Sequence, residues 1–139
     1  MNQHRRQLIV AAGGVLVLHK LAEAQERVAR VGVLIWRDTG PYHEVTRAGF
    51  VAGLREQGYI EGKNLELIQR SADFDPERFK PLAREMAGAK VDVFFAPATP
   101  MATAAWYADR NTPIVIATIP DPVELQFVKS LARPGTRVT

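Results

Sequence analysis

The chain has 139 residues, of which 47% are hydrophobic, so it can bury the core of one compact domain and is too short for two. Its formal charge is +3, and two of those charges come from the first 24 residues, where Arg5, Arg6 and Lys20 are offset only by Glu23. The near balance in the remainder excludes the broad basic field with which nucleic-acid binders neutralise phosphates.

Chemistry-bearing motifs are scarce in this sequence. Cysteine is absent, which excludes disulfides, thiolate nucleophiles, cysteine metal ligands and an acylated-cysteine membrane anchor. The sequence contains no G-x-S-x-G elbow, no phosphate-cradling loop and no G-x-G-x-x-G after the first predicted strand. His43 has no nucleophile or orienting acid predicted beside it. We therefore predict no catalytic residues, no metal site and no cofactor.

The N-terminal segment has the layout of a secretory signal peptide. The basic pair Arg5-Arg6 precedes an apolar stretch over 8–18 and the small-x-small pattern Ala22-Glu23-Ala24. The apolar stretch is well short of the ~20 residues of a membrane-spanning helix. We predict a signal at 1–24, cleavage after Ala24 and a periplasmic location. Sec and twin-arginine export both remain open, and the alternative is a first helix of the domain itself.

The remainder, 25–139, alternates strand and helix patterns. Continuous or alternating apolar runs predict strands at 31–36, 65–72, 91–98 and 113–119. After the first strand, Asp38 or Thr39 is placed to cap a helix that opens near Pro41 and ends at Gly58. The apolar face predicted for that helix consists of Val45, Ala48, Val51, Ala52 and Leu54.

The other three strands are each followed by a helix pattern with its own predicted cap. Asp75 is the cap of the second helix, Thr99 of the third and Asp121 of the fourth, and a proline follows each cap. The predicted apolar faces are Phe79, Leu82, Ala83 and Met86; then Met101, Ala104, Ala105 and Ala108; then Val123, Phe127, Val128 and Leu131. Pro81 falls inside the second helix, where an interior proline removes a hydrogen bond.

This βαβαβαβα pattern predicts an α/β fold with a parallel sheet of order 2-1-3-4 and helices on both faces. Ligands of such sheets bind at the carboxyl ends of the strands where the strand order reverses, here between strands one and three. The loops at that edge make Trp36 a candidate aromatic platform and Tyr42 a candidate contact. Capping alone is the alternative role for Thr99 and Asp121.

Several segments resemble the ABC-transporter substrate-binding proteins of the type I periplasmic binding protein class, in the subfamily related to tryptophan and tyrosine transport. The segments are "RVGVLIW", "GLREQGYIEGKN", "LAREMAGAKVDVFFAPATPMATAA" and "DPVELQFVKSLARPG". The resemblance implies a Rossmann-like lobe that captures a small organic solute such as an amino acid. It also implies an inner-membrane ABC permease with a cytoplasmic ATPase as partner.

The resemblance places ligand contacts at Thr39, Thr99, Pro100, Met101 and Asp121. Pro120 departs from it, since the subfamily more often has glycine there, and Thr136-Arg137 replaces its usual Gly-Asn pair. The family continues through a hinge and a second lobe. We therefore expect 25–139 to be part of an N-terminal lobe, truncated and weak in ligand affinity alone. A sensory or regulatory ligand-binding lobe is the alternative function, because it uses the same fold.

Overall fold

The computed structural model describes residues 27–139, so the predicted signal and its cleavage site lie outside the described range. In chain order the elements are β1 (Ala29–Ile35), α1 (Pro41–Glu56), β2 (Leu65–Ser71), a 3-10 turn (Pro76–Arg78), α2 (Phe79–Gly88), β3 (Val93–Ala98), α3 (Thr99–Ala108) and β4 (Ile114–Thr118). All four predicted strands are present, with ends within two residues of those predicted. No helix within 27–139 is long and apolar enough to cross a membrane.

The four strands form one parallel sheet in the order β2-β1-β3-β4. Its register places Gln69, Val33, Phe95 and Val115 in one row that crosses all four strands. The predicted α/β class and strand order are confirmed, and the order reverses between β1 and β3 as expected.

One face of the sheet is closely packed against α2 and α3. Because side chains alternate along a strand, this face receives Leu34 of β1, Phe94 of β3 and Ile114 of β4, all fully buried. Met86 of α2 and Met101 of α3 complete the same core. Most of the large buried side chains lie here, so this face supplies most of the hydrophobic stabilisation.

Gly32 allows α2 to approach the centre of β1 on this closely packed face. A Cβ at Gly32 would lie 3.0 Å from Met86 Cε, 3.2 Å from a Val91 methyl and 3.3 Å from the Phe94 ring. These separations are shorter than ordinary van der Waals contacts between carbon atoms. A larger residue at this position would therefore require the side chains of Met86, Val91 and Phe94 to shift.

The other face is covered by α1 alone and less completely. Phe50 and Leu54 of α1 pack over Val31, Val33 and Leu65. The apolar face predicted for α1 was partly wrong. Val45 is 72% exposed, and Ala48 and Ala52 are exposed too, while Val51 and Leu54 are half-buried. The sequence offers small apolar residues on several sides of α1, and the large ring of Phe50 decides which side contacts the sheet.

The segment around Pro81 follows the prediction, with one refinement. Asp75 Oδ1 accepts a 3.0 Å hydrogen bond from the Glu77 N–H and so caps a 3-10 turn that continues into α2. Pro81 is the third residue of α2. Proline is tolerated in a first turn because N–H groups there lack intrahelical partners. Phe79, Ala83 and Met86 are buried as predicted.

The predicted fourth helix is wrong, although its predicted cap is present. Asp121 Oδ1 accepts hydrogen bonds from the N–H groups of Val123 at 2.9 Å and Glu124 at 3.0 Å. The chain then makes a short turn and reaches Gln126, whose φ of 60° ends it. Phe127 and Val128, adjacent in sequence, are both buried in the core. A helix would have turned Val123 and Leu131 inward as well, yet Leu131 is 77% exposed.

The final residues return to the sheet beside β4. The Ile114 N–H donates to the Arg137 carbonyl oxygen at 2.8 Å, and the Thr139 N–H donates to the Ile114 carbonyl oxygen at 2.9 Å. Val138 thereby forms a parallel bridge with Ile114 and is itself buried. Arg137 fixes this return, because its guanidinium donates to the carbonyl oxygens of Thr112 and Trp106.

Candidate ligand-binding site

A groove of about 730 Å³ opens at the carboxyl ends of β1 and β3 and runs between α1 and the sheet. Its floor is apolar and consists of side chains from the incompletely covered face, namely Val33, Leu67 and Phe95. The volume lies in the range of sites for small organic molecules, and a mostly apolar lining with a few polar groups is typical of them.

Two stacked rings set the spacing between α1 and the floor. Phe50 of α1 and Phe95 of β3 both line the groove, and their ring centroids are 4.4 Å apart. The loop that enters α1 bends at Gly40, with φ of 101°, before Pro41 opens the helix. Glycine suits this conformation because it has no Cβ.

Trp36 and Arg37, which follow β1 directly, form one side of the groove mouth. Trp36 is half-buried and meets the ring of Phe79 edge-on, with centroids 4.9 Å apart. Arg37 Nε donates to the Thr39 carbonyl oxygen at 2.7 Å. Its guanidinium also packs against the backbone of Gly40, where a Cβ would lie 2.5 Å from Nη2. The Arg37 side chain is therefore held in place at the mouth.

The loop after β2 brings Phe74 against Arg37. Asp73 and Phe74 both have left-handed backbones, with φ of 51° and 64°. The Phe74 N–H donates to the Trp36 carbonyl oxygen at 3.0 Å, which fastens this loop to the end of β1. Arg37 Cζ lies 5.3 Å from the centroid of the Phe74 ring, within the range of a cation–π contact.

The carboxylate of Asp73 reinforces the left-handed loop. The Ser71 hydroxyl donates to Asp73 Oδ1 at 2.7 Å, and Arg78 forms an ion pair with Oδ2. These contacts, led by the Ser71 hydrogen bond and followed by that of Arg78, lower the pKa of Asp73 below its ordinary value. At neutral pH the carboxylate is ionised, and its ion-pair partner is Arg78.

The groove lining has basic but no acidic side chains. Arg37, Arg47 and His43 are at its rim, and none of the lining residues within 27–139 is Asp or Glu. Arg47 donates to both carboxylate oxygens of Glu61 at 3.0 Å, which offsets its charge. No carboxylate of the described residues pairs with Arg37. The mouth therefore favours an anionic group.

Within 27–139, His, Cys, Asp and Glu side chains nowhere gather in a group of three or more that could hold a metal ion. The described groove instead offers apolar surface, hydroxyls and one unpaired guanidinium, which suit reversible binding of an organic solute.

Comparison with known proteins matches this architecture to one family. A family profile described as "ABC transporter substrate binding protein" covers residues 31–139. The chain belongs to that family. It is 33% identical over 99 residues to a tyrosine-binding protein of Clostridioides difficile (strain R20291), which is 71% of this chain and 29% of that protein.

Solved structures agree with this membership of the substrate-binding protein family. A conserved domain protein from Vibrio cholerae is 38% identical with a TM-score of 0.73, over 81% of this chain and 38% of that one. An ABC domain from Streptococcus pneumonia in complex with L-Trp is 27% identical with a TM-score of 0.70, over 80% and 37%. The chain thus spans less than two fifths of these relatives.

Three of the residues predicted from the sequence to contact ligand lie in this groove. Trp36 and Thr39 are at its mouth, and Met101, only 1% exposed, contributes to its wall from the core. Tyr42 is the second residue of α1. For these four residues, ligand contact remains a prediction.

The remaining three predicted contacts, Thr99, Pro100 and Asp121, are not among the groove-lining residues of the described chain. Thr99 is also not a helix cap as predicted. It is the first residue of α3, where Ala98 is the cap and no side chain makes a capping bond. Asp121 caps the turn after β4 through its Oδ1, as described above.

Sequence reasoning missed Arg37 and Phe74. The sequence prediction places the loops after strands one, three and four at the site, and the first of them contains Arg37. Phe74 is in the loop after β2, which ends at the same edge of the sheet. An aromatic residue between two aspartates, in "ADFD", directly after an edge strand was the available signal. The left-handed backbone that turns Phe74 toward β1 has no such signature, because Phe rarely adopts it.

Proposed function

We propose that the chain captures a small organic solute, such as an amino acid, for an ABC importer and contributes one wall of the binding site. The observation that supports this most directly is the groove at the strand-order reversal, with its apolar floor and the unpaired guanidinium of Arg37. Membership of the substrate-binding family supports the transport role. Two similar proteins are named for tyrosine binding and for a complex with L-Trp.

The proposal extends to location and partners. Residues 1–24 would direct export to the periplasm, and the solute would pass to an inner-membrane permease driven by a cytoplasmic ATPase. Residues 25–139 would be part of an N-terminal lobe. Because one open wall buries less of a ligand than the 70% or more typical of complete sites, we expect affinity weaker than micromolar for this chain alone.

An NMR titration tests solute capture at the expected low affinity. L-Tryptophan, L-tyrosine and L-leucine are added to the ¹⁵N-labelled full chain, with D-glucose as the control solute. We expect saturable shifts of amide signals at 33–40 and 95–101 for at least one amino acid. Shifts that are absent, or confined to other regions, would contradict the proposal, and micromolar affinity would contradict the single-wall interpretation.

A groove-filling variant sharpens that test. Ala117 is exposed on β4 and lines the groove, so the Ala117→Trp side chain has room to occupy it. We expect Ala117→Trp to abolish the shifts and Ala132→Trp, exposed outside the groove, to preserve them. Adjacent permease and ATPase genes would support transport, whereas an adjacent membrane kinase gene would favour the sensory alternative.

A further inference from the structure

Phe74 combines an unfavourable backbone with an exposed ring. Both Phe74 and the preceding Asp73 are left-handed, a conformation that costs free energy for residues with a Cβ. Burial of the ring offsets little of this free energy, because Phe74 is 63% exposed. The loop persists because Ser71, Arg78 and the carbonyl of Trp36 hold it. Conformations maintained in this way concentrate at ligand clamps and active sites.

The position of the ring gives independent support. Phe74 and Arg37 line the groove mouth together and contact each other, with the guanidinium 5.3 Å from the ring centroid. Arg37 uses Nε on the Thr39 carbonyl and has no carboxylate partner within 27–139. A fixed guanidinium with free N–H groups is suited to a carboxylate, because it presents paired donors in one plane.

The lining also indicates what this wall does not recognise. A ligand ammonium would need a carboxylate or several oxygen acceptors nearby, and the described lining contains no Asp or Glu. The carboxylate of Asp73 is occupied by Ser71 and Arg78, and Asp38, in the β1–α1 loop, is not among the lining residues. Positive charge on the ligand would also be repelled by Arg37.

We propose that Arg37 and Phe74 form one recognition element that binds a carboxylate adjoining an apolar or aromatic group, and that this wall does not recognise the ligand's ammonium. The inference rests on the solute-capture function proposed above and specifies its ligand class. The ring of Phe74 provides a surface for the apolar group while it keeps the guanidinium oriented.

Three indole probes separate the contributions of the ligand's two charges. L-Tryptophan carries both charges, indole-3-propionate lacks the ammonium and tryptamine lacks the carboxylate. In NMR titrations of the full chain we expect indole-3-propionate to bind within about threefold of tryptophan. Tryptamine should bind about tenfold more weakly, since a hydrogen bond to a charged group is lost.

Variants then assign the effect to residues. Arg37→Gln should weaken tryptophan and indole-3-propionate about tenfold. It should not weaken tryptamine, whose ammonium is repelled by Arg37 in the wild type. Phe74→Leu should weaken all three ring probes about threefold or more. Arg55→Gln and Tyr107→Leu remove an exposed cation and an exposed ring outside the groove, and we expect them to leave binding unchanged.

Phe74→Gly separates recognition from a purely structural role. Glycine adopts the left-handed backbone freely, so the thermal midpoint should be maintained or raised while tryptophan binding weakens. Loss of stability with unchanged binding would show that the ring only supports the fold.

The outcomes distinguish failure of the recognition element from failure of the proposed solute-capture function. If no probe and no other amino acid binds, both fail. If tryptophan binds equally well to wild type, Arg37→Gln and Phe74→Leu, solute capture stands and the recognition element is overturned. Tryptamine binding as tight as that of tryptophan would overturn the carboxylate preference.

Discussion

Phe50 of α1 and Phe95 of β3 stack almost face to face, with ring centroids 4.4 Å apart and planes inclined by 16°. This pair is the main bridge between α1 and the sheet. It lies on the open face, and Phe94, the neighbour of Phe95 in sequence, points into the closely packed core on the other side. Replacing a phenylalanine by alanine is therefore expected to cost different amounts of stability on the two faces.

Phe50→Ala should lower the free energy of unfolding by about 1–2 kcal/mol, because the ring is only half-buried and water already reaches it. The matched variant Phe94→Ala removes a ring that is 0% exposed and should cost about 3–5 kcal/mol. Urea unfolding followed by circular dichroism measures both. Equal losses would show that the open face is as tightly packed as the core.

Arg137 is predicted to hold the C-terminal segment beside β4. Its guanidinium lies 4.7 Å from the Trp106 ring centroid and donates to the Thr112 carbonyl oxygen at 2.7 Å. Arg137→Met keeps an apolar stem and loses these contacts, at a cost of about 2 kcal/mol. The Ile114 amide, which donates to the Arg137 carbonyl oxygen, should exchange its hydrogen faster.

Arg133→Met is the control for this prediction, because the Arg133 side chain is exposed. Arg133→Met should change neither the free energy of unfolding nor the rate of hydrogen exchange at the Ile114 amide. Unaltered exchange at Ile114 in Arg137→Met would show that the segment is held by the burial of Val138 rather than by the guanidinium.

Asp109 should make stability depend on pH in the acid range. The Thr112 hydroxyl foremost, and then the backbone N–H of Asn111, lower the pKa of Asp109 in the folded chain. The unfolded state therefore binds the proton more readily, so the stabilisation is complete above its ordinary pKa of about 4. It is lost as pH falls through the lower, folded value.

Thermal unfolding between pH 7 and pH 2 tests this sign. Asp109→Asn should have a lower thermal midpoint than wild type at pH 7, and the difference should shrink below about pH 4. Asp38→Asn, at an exposed position in the β1–α1 loop, should follow the wild-type profile. A difference that stays constant down to pH 2 would contradict the assignment.

Asp121 and Thr99 provide a matched comparison of two predicted caps. Asp121→Ala removes an acceptor for two backbone N–H groups and should cost about 1 kcal/mol. Thr99→Ala removes no capping bond and should change stability by less than about 0.5 kcal/mol. Equal costs in chemical unfolding would mean that the hydroxyl of Thr99 has a structural role after all.

The predicted export signal is tested by expression in a Gram-negative host. N-terminal sequencing of the periplasmic product should begin at Gln25. Replacing Arg5-Arg6 by two lysines should block export if the twin-arginine route is used and preserve it if the Sec route is used. A product that stays uncleaved in the cytoplasm would favour the alternative of a first helix in the domain.

The sheet was predictable because each strand carries a strong local signal. Continuous apolar runs such as 31–36 are typical of strands that are covered on both faces, and right-handed connections leave few orders in which four parallel strands can pair. Asp75 and Pro76 likewise predicted the start of their helical segment, because a capping side chain bonds to an N–H group within the first turn after it.

The errors arose where distant contacts outweigh local pattern. The spacing of Val123, Phe127, Val128 and Leu131 suits a helix. The chain instead makes a turn that ends at Gln126, and Phe127 and Val128 are buried directly after it. The mouth of the groove depends on Trp36 accepting a hydrogen bond from Phe74, 38 positions along the chain. Single-sequence periodicity contains no information about such a pairing, so the recognition element emerged only from the structure.

Gly32 leaves no free space between β1 and α2, whereas the groove side of the same strands is open. Alternate residues of one strand thus differ sharply in how much replacement they tolerate. Leu67 and Gln69 can be randomised to redirect selectivity in a designed sensor, while Phe95 keeps α1 on the sheet and Ile68 and Phe94 keep the closely packed core intact. Substitutions confined to the groove-facing positions should change ligand preference and leave the fold intact.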